Sequence, residues 1–91
     1  SNTDSQIVRM LGRWGRETAY TGATILSLLG VPAQVVDTML SHKNPFSKEA
    51  VSPALQSYAQ LAKELKGLPN PLRDAVETLA EAIRAIELGN L

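Results

Sequence analysis

"NPLRDAVETLAEAIRAIELGN", residues 70–90, reads as a complete helix with both ends marked. Asn70 is a side chain that caps the free amides of a first turn, Pro71 suits the first helical position, and Gly89-Asn90 forms the stop. At about 100° per residue, Leu72, Ala75, Val76, Leu79, Ile83 and Ile86 fall on one stripe. Glu77, Glu81, Glu87 and Arg84 lie off that stripe and read as its solvated face. A helix with a single apolar stripe must bury it against another element. The rest of the chain therefore has to supply the packing partners.

Upstream, Gly67 ends a third segment whose start is capped by Ser47. Phe46 and Val51 stand where a hydrophobic staple would close across that first turn. Pro53 predicts either a kink there or a fresh start capped by Ser52, and Leu55, Tyr58, Ala62 and Leu65 recur at helical spacing. Before it, "PAQVVDTMLSH" opens on Pro32 and presents Val35, Val36, Met39 and Leu40 as an apolar face, ended by "KNP". The first segment starts after Asp4 or Ser5 and runs unbroken to Gly30. Ile7, Leu11, Trp14, Thr18, Ile25 and Leu29 form its apolar arc, with Met10 and Leu28 at the border. No stretch alternates with a period of two for long enough to make a strand. The fold class is all-α, a compact bundle of about four helices with short connections.

Composition agrees. Ninety-one residues allow one modest core, and 44% are hydrophobic. Only Trp14, Tyr20, Phe46 and Tyr58 are aromatic, so aliphatic side chains must fill the interior. Nine basic and nine acidic residues cancel, which gives no whole-molecule footprint for nucleic acid or an anionic membrane. The absence of cysteine excludes disulfides and thiolate metal sites. One histidine, His42, leaves a histidine metal site without its second ligand. No small-molecule cofactor, membrane span or catalytic set is expected. Residues 1–91 read as one helical domain of a larger, bacterial protein, Ser1-Asn2-Thr3 marking a cut edge. Intracellular and secreted locations both stay open.

The stretch "GRWGRETAYTGA", residues 12–23, poses a cost. A glycine inside a helix is worth about 1 kcal/mol less than alanine. Gly12, Gly15, Ala19, Gly22 and Ala23 share an arc beside the large apolar one, and that arc would let another backbone come close. The expected occupant is a helix, either the fourth helix of the same chain, with its Ala75, Ala80, Ala82 and Ala85, or a helix of another chain. This points to a protein-interaction or assembly module, acting through a protein partner or self-association. A different arc carries Arg9, Arg13, Arg16 and Tyr20, and with Gln34 and Lys43 it defines an alternative set of DNA contacts.

"ILSLLGVPAQVVDTMLSHKN", residues 25–44, has the hydrophobic spacing of a helix-turn-helix. Ala33, Gln34, Asp37, Thr38 and Ser41 would face outward, and Leu26 stands where that motif takes a small residue. Carried on to "YAQL" from Tyr58, residues 23–61 also resemble the end of a tyrosine recombinase (phage integrase) catalytic domain. The matching residues are Ala23-Thr24, Gly30-Val31-Pro32, Val35-Val36 and "MLSH" ending at His42. The resemblance implies that His42 corresponds to the late histidine of that site and Tyr58 to the nucleophile. The family's arginine would fall on Ala19 and its preceding histidine on Arg16. Such a relative would lack the clamp on the phosphoryl transition state and would be a non-catalytic, DNA-associated remnant.

Overall fold

A computed structural model describes residues 14–87 of the chain. Among them are four helices and no strand: α1 (Arg16–Leu28), α2 (Ala33–Ser41), α3 (Lys48–Lys66) and α4 (Pro71–Glu87). They touch in a closed cycle, with α1 on α2, α2 on α3, α3 on α4, and α4 back on α1. The all-α bundle expected from the hydrophobic periodicity is the observed fold.

Local chemistry explains most of the helix ends. The Ser47 hydroxyl accepts the Ala50 amide at 3.3 Å, and α3 runs on from there through Pro53, so no fresh start occurs at Ser52. Phe46 and Val51, on either side of that cap, are both fully buried in the core. Asn70 caps α4 by accepting the Arg73 amide at 3.2 Å. The amide of Gly67, in the left-handed conformation at φ 63°, returns to the Lys63 carbonyl and closes α3. Gly30, at φ 103°, turns the chain between α1 and α2, and the Val31 amide reaches back to the Leu26 carbonyl at 3.0 Å. A side chain at that φ would be strained, so glycine belongs there. The end of α4 expected at Gly89-Asn90 lies outside the described residues.

Two sequence expectations need correction. The first segment is not one unbroken helix from Asp4 or Ser5 to Gly30. Trp14 and Gly15 are non-helical, and Gly15 is the extended N-cap of α1 at φ −90°, ψ −169°. That break resets the phase of the helical wheel. The inward face of α1 is Ala19, Gly22, Ala23 and Leu26, with Ile25 at its edge, while Thr18 and Leu29 are only half-buried. Ala19, Gly22 and Ala23 of the small-residue arc thus belong to the core face itself rather than lying beside it, while Gly15 is exposed. The second correction concerns Leu65, expected on the apolar stripe of α3: it is 82% exposed.

The core is aliphatic, as composition required, with Phe46 at its centre. Among the described residues no polar or charged residue is buried as a whole, although the Ser52 hydroxyl oxygen is shut off from solvent without a hydrogen-bond partner. The Phe46 ring meets Trp14 at a centroid distance of 5.8 Å and a tilt of 57°, within the range of favourable tilted aromatic pairs. A methyl group added at Gly22 would lie 3.1 Å from the Phe46 ring and 3.4 Å from Ile83 of α4. Gly22 gives up helix propensity so that Phe46 can pass close to the α1 backbone.

Candidate functional site

The expected site residues divide sharply once placed. Ala19, Gly22 and Ala23 are buried, and the chain's own Phe46 and Ile83 stand against Gly22. Gly15 is exposed, with open space where a side chain would project. Gly12, Arg9 and Arg13 lie outside the described residues. Arg16 begins α1, Lys43 is exposed in the loop after α2, and Gln34 is exposed in the first turn of α2. Tyr58, matched to a nucleophile by the recombinase resemblance, is 7% exposed and belongs to the core. His42 is half-buried at the C-terminal cap of α2.

Among the described residues, α2 and α3 leave open space between them. A groove of about 220 Å³ runs along the junction of the two helices. Val35, Thr38 and His42 come from one side, one helical turn apart, with Gln34 at the end; Glu49, Ala50 and Pro53 come from the other. The spacing follows from helix geometry, since residues three and four apart share a face. The floor is apolar, made by Val35, Ala50 and Pro53. The rim is polar.

Hydrogen bonds order that rim. Thr38 Oγ1 donates to the Gln34 carbonyl at 2.9 Å, which turns its lone pairs outward. His42 Nδ1 lies 2.9 Å from the Thr38 carbonyl. A carbonyl can only accept, so Nδ1 carries the proton. The Ser41 hydroxyl donates to the same carbonyl at 2.6 Å. Across the groove, Glu49 sits in the first turn of α3, where its charge suits the helix dipole. No described residue forms an ion pair or hydrogen bond with its carboxylate. Pro53 has no amide proton, so the Glu49 carbonyl loses its ordinary helical donor.

No single stretch of sequence points directly to this groove. Its residues are dispersed over two segments, and Val35 and Ala50 read simply as core positions. Pro53 was the one available signal, as an unusual residue early in a helix. Among the described residues no group of three histidine, cysteine, aspartate or glutamate side chains is placed to hold a metal. No helix among them is long and apolar enough to cross a membrane. Comparison with protein-family models, curated proteins and solved structures returns no match.

Proposed function

We propose that this domain is a non-catalytic helical interaction module, and that its docking surface is the groove between α2 and α3. The observation that carries the reading is the groove's construction: an apolar floor and an ordered polar rim, with no side chain of the described residues filling it. The small residues of α1, the other candidate surface, are already used by the core. At roughly 30 Å³ per water, the groove has room for about seven waters. That is the scale of one long side chain, so a partner engages by inserting an anchor residue rather than by laying down a whole helix. Anchors of this kind carry a disproportionate share of binding energy in protein interfaces.

The same geometry weighs against the DNA-associated alternative. A recognition helix needs its outward residues free to enter a major groove. Here Gln34 and Thr38, two of those residues, line a crevice whose other wall holds the Glu49 carboxylate. That charge repels phosphate.

The test is a selection of random displayed peptides against the 91-residue chain, followed by measurement on Thr38→Trp. Thr38 is exposed, so the larger side chain fills the groove from its rim without entering the core. Selected peptides are expected to bind Thr38→Trp on the order of tenfold more weakly, or less tightly still, the loss of one anchor contact. Equal binding to both proteins would overturn the reading.

A further inference from the structure

Resting on the docking reading above, we infer that the anchor is an arginine side chain carried by a basic segment of a partner protein. Apart from the side-chain amide of Gln34, which carries donors as well as an acceptor, Thr38 and Glu49 offer acceptors to the groove. Thr38 Oγ1 spends its proton on the Gln34 carbonyl, and His42 Nδ1 spends its own on Thr38. The Glu49 carboxylate has no partner among the described residues. The Glu49 carbonyl is without its helical donor because Pro53 follows four residues later.

Electrostatics point the same way. The last turn of α2 contains no basic residue, so the negative end of its dipole is uncompensated within the helix. Thr38 of its last turn and the C-cap His42 form one wall of the groove, and the full negative charge of Glu49 opposite them exceeds the partial positive end of the α3 dipole on which it sits. Lys43 and Lys48, the cations nearest in sequence, do not line it. The site therefore asks for a donor-rich cation on an apolar stem.

Arginine meets each requirement in one side chain. Its methylenes cover an apolar floor such as Val35, Ala50 and Pro53 while the charged head stays at the rim. Its planar guanidinium offers five donors, can grip a carboxylate through two parallel bonds, and sheds water more readily than an ammonium. A purely apolar side chain would fill the floor and leave Glu49 unanswered. Lysine would satisfy the charge but present a compact, strongly hydrated head with fewer donors.

The experiment is a nitrogen–proton correlation NMR titration of the whole chain with N-acetyl-arginine amide and, separately, N-acetyl-norleucine amide. Norleucine has an apolar stem without the charge. Arginine amide is expected to give saturable shifts at the amides of Gln34, Val35, Thr38, His42, Glu49 and Ala50, at least about fivefold tighter than norleucine amide. That ratio is expected to vanish in Glu49→Gln, whose spectrum otherwise keeps its dispersion. Equal affinity for the two probes at those amides overturns the arginine assignment while leaving the groove as a docking site. Arginine shifts confined to other surfaces, no saturable shift, or an unchanged ratio in Glu49→Gln also overturn the assignment. The docking reading falls separately, through peptides insensitive to Thr38→Trp.

Discussion

Gly15 and Gly22 stand seven residues apart in one glycine-rich stretch, and the structure gives them opposite tasks. At Gly22, alanine would gain about 1 kcal/mol of helix propensity. It would also place a methyl group 3.1 Å from the Phe46 ring, which is fully buried and packed against Trp14. Crowding a packed core costs about 1–3 kcal/mol, so Gly22→Ala is expected to lose about 1 kcal/mol net in urea unfolding. At Gly15 the backbone is extended, the space is open and no side chain caps α1. Gly15→Asp is expected to gain about 0.5 kcal/mol as a cap, helped by the helix dipole. A stabilised Gly22→Ala would show that the ring has room, and the close-approach account of this glycine would fail.

Among the elements, α3 shows a conflict between stability and the proposed site. Pro53 lies in the second turn of the helix, past the positions where proline is harmless, and it removes one hydrogen bond. Pro53→Ala restores the donor to the Glu49 carbonyl, at the expense of the unfolded-state restriction that proline provides. The bond and the relief of crowding outweigh that restriction, so thermal unfolding is expected to report a gain of about 1–2 kcal/mol. Affinity for groove-binding peptides is expected to fall, because both the apolar floor and the available carbonyl are lost. A variant less stable than the parent would contradict the assignment of strain to this proline.

Helix ends were the most legible part of the sequence. Ser47, Gly67 and Asn70 each act through their own side chain or φ angle, and those are local properties. The course of α1 was not legible to the same degree. A wheel drawn continuously from Ile7 kept Trp14 and Leu29 in phase, and nothing in the residue types alone announces that Trp14-Gly15 leaves the helix. Once the phase slipped, Ala19 and Gly22 read as a seat for a helix, of this chain or another, and the part played by Phe46 went unread. That ring comes from a loop 24 residues after Gly22, a tertiary fact that periodicity along one helix does not encode. Leu26 shows the same limit: it is out of place in a helix-turn-helix, yet it is wholly buried in this bundle.

At the scale of the whole molecule, the four described helices form a closed cycle that buries the apolar face of each against two neighbours, and the proposed function draws on a groove that this closure leaves. Leu28 and Leu65 are left over too, at 83% and 82% exposure, but single exposed leucines are ordinary on protein surfaces. The α2–α3 groove differs in having walls, a floor and a defined polarity. Charge balance fits such a role, since a neutral chain relies on a local site and not on its overall field to select partners. The most direct test is the set of intermolecular nuclear Overhauser effects between the isotope-labelled chain and the tightest peptide from the selection. Contacts to Val35, Thr38, Ala50 and Pro53 are expected. Contacts centred instead on Tyr20, Leu28 or Leu65, with none in the groove, would contradict the account.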